Sequence, residues 1–185
     1  MDTREFHEMY QVEDTHWWFV TKRMFIQTIL QGKKFARILD IGCGTGRNML
    51  MLKQYGRVVG VDINQLALRY CRQRGLTNLK QATAESLPFT ARNFDLVTIF
   101  DVLYHQGIKS DVNVIAEVFR VLRPGGFLLV TDCAYQWLFG PHDIVMQARQ
   151  RYSKAELMQK VSSGGLTIKR ASYLFMFTFP IFALN

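Results

Sequence analysis

Several things are missing from this sequence, and each absence excludes a class of protein. Its cysteines are only three, Cys43, Cys71 and Cys133. An odd number without Cys-x-x-Cys spacing argues against a disulfide framework and against a thiolate zinc site. The expected setting is a reducing compartment, the cytoplasm. No apolar run reaches the ~20 residues that a membrane helix needs, so no transmembrane segment is expected. Met1–Val12 is charged and carries no apolar h-region, which speaks against a secretory signal. Repeats and low-complexity segments are absent. Acidic residues are outnumbered, 15 against 23 basic, for a net charge of +8. That balance favours an ordinary basic surface, an anionic substrate, RNA or a membrane surface touched peripherally. Arg69, Arg72 and Arg74 are expected on one solvated helix face.

What is present is a chain of 185 residues, 49% hydrophobic, enough for one domain with a real core. Apolar periodicity predicts a helix over 19–30 and strands at 37–41, 58–62, 79–83, 94–100 and 127–131. Between them, helices are expected over 47–55, from Asn64 to Arg74, and from Ser110 to Leu122. The last should bury Ile115, Val118, Phe119 and Leu122 on one face. Pro124-Gly125-Gly126 should break it. Ser153-Lys154-Ala155-Glu156 reads as a capping box opening a helix to Ser163. A sixth strand is expected over Leu166–Leu174, and the apolar run Tyr173–Leu184 that overlaps its end reads as a buried strand plus whatever follows Pro180. Strands alternating with helices at this spacing predict an α/β fold, a doubly wound, mostly parallel Rossmann-like sheet with helices on both faces. Ligands of such sheets bind beyond the C-terminal strand ends.

The chemistry is concentrated at those ends. Ile38-Leu39-Asp40-Ile41-Gly42-Cys43-Gly44-Thr45-Gly46 is a glycine loop that follows a strand and opens a helix. Dinucleotide loops hold pyrophosphate on their amides and helix N-terminus. A carboxylate at Asp40 would repel phosphate and favour an ammonium donor instead, and the spacing is not Gly-x-Gly-x-x-Gly. A ligand with an amino-acid tail, an adenosine and no phosphate fits, which describes S-adenosylmethionine (SAM). Asp62 ends the next strand, where a carboxylate can accept from a ribose diol. Ile63 offers an apolar face to an adenine. The segment Thr83–Phe89 could read the adenine edge. Phe100-Asp101-Val102-Leu103-Tyr104-His105 ends the fourth strand, and Asp132-Cys133 the fifth. His105 is the candidate general base, with Tyr104 and His142 behind it.

In these motifs the chain resembles the class I SAM-dependent methyltransferases, specifically the small-molecule group called type 11. The resemblance covers roughly residues 36–132. It rests on Leu39–Gly46, Val61-Asp62, Glu85-Ser86-Leu87-Pro88-Phe89, Phe94-Asp95-Leu96-Val97, Val102-Leu103-Tyr104-His105 and Arg120-Val121-Leu122-Arg123-Pro124-Gly125-Gly126. It implies SAM as cofactor and a small-molecule methyl acceptor. It implies that Asp40, Gly42, Cys43, Gly44 and Gly46 hold the methionine moiety and Asp62 the ribose. Ile63, Ala84 and Glu85 would hold the adenine, with Phe100 facing the same crevice. Two departures stand out. Many relatives carry aspartate where this chain has Thr83. The family's seventh strand has no convincing counterpart, so a truncated C-terminal strand region is expected. Glu13-Asp14-Thr15-His16-Trp17-Trp18-Phe19 resembles an N-terminal segment that folds over the SAM pocket. The expected organisation is therefore a helical lid over 1–35 and a SAM-binding domain over 36–185. Competing readings are a SAM-binding module without catalysis, an NAD-dependent oxidoreductase and an RNA methyltransferase. Nucleic acid is not the expected partner, because the Asn/Asp-Pro-Pro-aromatic motif is absent from the fourth strand's end. The sequence leaves the oligomeric state open.

Overall fold

Buried β-rich runs separated by helices build one parallel sheet. The computed structural model describes residues 3–175. The strands are β1 (Phe35–Ile41), β2 (Gly56–Asp62), β3 (Leu79–Gln81), β4 (Phe94–Phe100) and β5 (Leu122–Thr131). They lie in the order β3-β2-β1-β4-β5, and every neighbouring pair is parallel. The order reverses between β1 and β4, which opens a crevice outside their C-terminal ends. The helices are α1 (Thr3–Val12), α2 (Trp17–Leu30), α3 (Arg47–Leu52), α4 (Gln65–Gln73), α5 (Asp111–Val121), α6 (Pro141–Val145) and α7 (Lys154–Ser163).

Strand β4 is buried along its whole length, as a central strand covered on both faces must be. Its side chains alternate between two cores. Val97 and Ile99 join Leu39 and the α5 residues Val114 and Val118. Leu96 and Phe100 join Ile38, Ile26 of α2, Met49 of α3 and Leu68 of α4. The predicted caps form. Asn64 accepts from the Leu66 amide at 2.9 Å, Ser110 accepts from Asn113, and Ser153 with Glu156 closes the capping box.

Four expectations need correction. Leu166–Leu174 forms no strand, so β5 is the sheet edge among the described residues. Lys169 to Ser172 are exposed, and Tyr173 and Phe175 pack rings against Tyr135 and Trp18 instead of alternating on a ladder. The rest of the apolar run after Phe175, and any strand within it, lies outside the described residues. Pro124-Gly125-Gly126 does not precede β5 but sits inside it, in a register break between the pairs Phe94↔Leu122 and Leu96↔Phe127. Phe119 is 54% exposed, and Gly165 lies against its ring. Arg74 is not on a solvated face; its side chain is buried against α1. Among the described residues, no helix is long and apolar enough to cross a membrane.

Candidate functional site

Strand β1 carries Asp40 to the crevice, where it is 2% exposed. Thr98 Oγ1 donates to its Oδ1 at 2.6 Å, while Oδ2 is buried with no hydrogen-bond partner among the described residues. Burial pushes the Asp40 pKa up to about 7, and the Asp62 charge adds to the rise, against the Thr98 hydrogen bond. A buried acceptor without a donor is costly. It is a place for a ligand's donor.

The loop that follows turns through Gly42, Gly44 and Gly46, all at positive φ (68°, 53° and 87°). These positions favour glycine because a Cβ is strained there. Gly42 has a second reason: its Cβ would fall 2.3 Å from Val102 Cγ2. Cys43 turns its thiol away from the crevice into the core, 3.9 Å from the Cys71 sulfur, so only its backbone faces a ligand.

Asp62 ends β2 and ties the loop down. Its Oδ2 accepts from the Gly44 amide at 2.9 Å and its Oδ1 from the Asn64 amide at 2.8 Å. Burial raises its pKa against those two amides. Each oxygen keeps a further lone pair for a diol. Ile63 beside it is exposed, and Ala84 is buried in the core under the β3 loop. Glu85 has other work. Its Oε1 accepts from Ser110 at 2.6 Å and from Lys109 at 3.2 Å, which fixes the approach to α5.

A cleft of ≈ 2500 Å³ lies beyond the strand ends and continues along the edge of β5. Gly42–Thr45, Phe100, Asp101, Tyr104, Asp132 and Cys133 line its inner end, and α2 forms one wall. Tyr104, not the adjacent His105, faces this cleft. His105 Nδ1 accepts from the Gly107 amide at 3.0 Å, its backbone bridges to Ala148, and burial lowers its pKa. The structure thus gathers Asp40, the loop and Asp62 at one edge, and sets His105 and Glu85 on supporting contacts.

Two clusters at this edge join residues that the sequence did not connect: Asp101 and Asp132, expected at the strand ends, gain Lys22, and the loop gains Glu13. Lys22 of α2 pairs with Asp101, whose φ of 57° turns the chain at the end of β4. Asp132 sits beside them, accepting from the Cys133 amide at 2.9 Å and the Tyr104 amide at 3.3 Å. Burial pushes its pKa up to about 7 against those amides and the Lys22 charge. The second cluster joins α1 to the loop. Glu13 Oε1 accepts from Thr45 Oγ1 and from Arg74 Nη2, and Arg23 donates to the Glu13 carbonyl at 2.6 Å. Arg74 also covers the Tyr10 ring at 4.3 Å, and Asp14 pairs with Arg47 and Arg74. Burial raises the Glu13 pKa, opposed by Thr45 and Arg74. The signal for Lys22 was its place on one stripe of α2 with Ile26 and Leu30, at i, i+4 and i+8.

Residues 39–130 match the family model described as a methyltransferase domain. The chain is 37% identical over 111 residues to the ubiquinone/menaquinone biosynthesis C-methyltransferase UbiE of Erwinia tasmaniensis, covering 54% of this chain and 43% of that one. It is 38% identical over 112 residues to a fatty-acid O-methyltransferase of Mycolicibacterium smegmatis, covering 57% of this chain and 39% of the relative. The matched parts thus span less than half of either relative. Among solved structures, a SAM-dependent methyltransferase from Thermotoga maritima superposes with a TM-score of 0.73 at 22% identity, over 89% of this chain and 77% of that one. The Bacillus subtilis YcgJ protein gives 0.68 at 24% identity, over 80% and 69%. At those identities the likeness is one of fold.

Proposed function

Because this chain belongs to the class I SAM-dependent methyltransferases, we propose that it moves a methyl group from SAM to a small acceptor with an apolar body. The observation that carries the reading is Asp40 Oδ2, a buried acceptor with no partner, set beside a backbone cradle of positive-φ glycines. The residues present fit the cofactor. Asp40 would take its ammonium group, the Gly42–Gly46 backbone its methionine chain, and Asp62 its ribose. Ile63 would cover the adenine. When bound, SAM supplies an activated methyl on a sulfonium leaving group.

The protein's own residues then do three things. The loop and α2 position the reactants, which is where most of the rate comes from when the leaving group is already good. Trp18, Phe100 and Tyr104 wall the cleft with aromatic surface and keep water out. Asp132, with its pKa raised to about 7, is placed to take a proton from an acceptor hydroxyl or amine at a carboxylate oxygen and pass it to solvent. The relatives' names, one for ubiquinone/menaquinone biosynthesis and one for a fatty acid, agree with a largely apolar cleft.

Residues 1–35 act as a lid in this proposal. Support comes from Met9, whose Cε approaches within 3.6 Å of where a Gly44 Cβ would lie, and from the Glu13 and Lys22 anchors. Three cysteines without Cys-x-x-Cys spacing support a reducing, cytoplasmic setting.

Calorimetry with S-adenosylhomocysteine tests the reading. The wild type should bind, and Asp40→Ala should bind at least about tenfold more weakly, as expected for losing a hydrogen bond to a charged group. NADH binding more tightly than S-adenosylhomocysteine would overturn it.

A further inference from the structure

The segment between β5 and α7 carries large apolar side chains with more than half of their surface exposed. Trp137, on a short 3-10 turn (Gln136–Leu138), is 61% exposed, and Ile144 and Val145 of α6 are 69% and 55% exposed. They belong to one rigid unit. Arg151 donates to both Asp143 oxygens, at 2.9 and 2.8 Å, and to the Ala134 carbonyl at 3.3 Å; its own amide donates to Gln136. The neighbouring Tyr135, Leu138, His142 and Val145 line the cleft, so this apolar tip is also part of its rim.

Basic residues flank the tip. Trp137 meets Tyr135 at 5.8 Å between rings, and Tyr135 stacks on Tyr173 at 4.9 Å. Lys154 places its ammonium 5.5 Å from the Tyr173 ring. Lys169 and Arg170 are exposed, precede Tyr173 in the chain and line the cleft. Of the acidic residues nearby, Asp143 is paired with Arg151 and Glu156 accepts from the Ser153 amide. The chain as a whole carries +8.

An exposed tryptophan and aliphatic pair backed by tyrosines and lysines has the composition of a surface that sits in the headgroup layer of a bilayer. Aromatic rings with polar tips are favoured there, and basic side chains are drawn to anionic lipid. A crossing helix is not needed for such contact.

We propose that the rim formed by Trp137, Ile144 and Val145, with Lys154, Lys169 and Arg170 beside it, docks on an anionic phospholipid bilayer. The cleft mouth then opens against lipid, so that an apolar acceptor passes into it without crossing water. The acceptor half of this inference rests on the methyltransferase reading; the docking half does not.

The test is co-sedimentation of the full chain with phosphatidylcholine vesicles and with vesicles in which part of that lipid is replaced by phosphatidylglycerol. Binding is expected on the anionic vesicles, weakening as salt is raised. The double variants Trp137→Ser/Ile144→Ser and Lys169→Glu/Arg170→Glu should each lower partitioning by about tenfold or more. Both should bind S-adenosylhomocysteine as the wild type does, which also verifies their folding. Because the second pair lies outside any element, its charge reversal keeps the test valid if the first variant is unstable. Equal binding to neutral vesicles, no sedimentation with either, or variants that partition like the wild type would overturn docking. So would light scattering showing a dimer that Trp137→Ser disperses, since the tip would then face a second copy. Vesicle binding without S-adenosylhomocysteine binding would remove the acceptor half and count against the methyltransferase reading instead.

Discussion

At the scale of single residues, the carboxylates at the strand ends decide most. Asp62→Ala should weaken S-adenosylhomocysteine binding by about 1.5–3 kcal/mol, the range for hydrogen bonds to a charged group. Calorimetry giving unchanged affinity would take Asp62 out of the site. Asp40 makes a pH-dependent claim. With its pKa raised to about 7, it is largely protonated in the free protein below neutrality. An ammonium donor needs it ionised, so affinity should rise as pH increases towards about 7 and then level off. Asp40→Asn should bind weakly and lose that slope; a slope that survives the substitution would place the titrating group elsewhere. The strand-end positions of Asp40 and Asp62 were legible in the sequence because a carboxylate before a glycine loop and another ending the next strand are local patterns. Glu85 and His105 were not placed well by the same logic. Their side chains are spent on the amides of Ser110 and Gly107, contacts set by loops that no spacing rule describes.

Among elements, the glycine loop and the N-terminal helices carry the sharpest expectations. Gly44→Val should abolish S-adenosylhomocysteine binding in a folded protein, read by calorimetry beside circular dichroism. The position allows this because a Cβ there meets only ordinary contact with Met9, while its φ of 53° strains a branched residue by roughly 1–2 kcal/mol. Normal binding in this variant would mean the loop is not the cradle. For α1 and α2, amide exchange should slow when S-adenosylhomocysteine is added, and deleting residues 1–18 should cost turnover more than stability. Ligand-independent exchange together with a lowered melting temperature would mark them as fixed packing. Strands β1, β2 and β4 were readable because each is a short buried run bounded by turn residues. Leu166–Leu174 is also an apolar-rich run, yet it does not join the open edge of β5, and Tyr173 stacks on Tyr135 while the following Phe175 stacks on Trp18. Apolar content alone did not distinguish the two.

For the molecule as a whole, buried carboxylates make stability depend on pH. Asp40 and Asp132 both rise from an ordinary 3.8 to about 7 on folding. Between those values the folded chain holds more protons than the unfolded one. Their contribution is therefore fully present below about 4 and is lost as pH rises through about 7. Urea unfolding of the ligand-free protein should show a free energy falling over that window, with a shallower fall in Asp132→Asn. An unchanged slope in that variant would mean Asp132 is solvated.

The anchors of α1 and α2 also bear on how the chain reaches its native state. Glu13 finds its partners at Thr45 and Arg74, and Lys22 finds its own at Asp101, 79 residues further along. Helix α2 is thus among the last elements that can settle, because its anchor at Asp101 exists only once β4 has been laid beside β1. Contacts so distant in sequence slow assembly. On a ribosome, α2 would wait without its Asp101 anchor until residues beyond Asp101 have emerged. In refolding from urea, the fluorescence of Trp17 and Trp18 should lag behind the far-ultraviolet dichroism of the sheet, and Lys22→Met should lengthen that lag. Simultaneous recovery of both signals would mean that the helices join the nucleus instead of closing over a finished sheet.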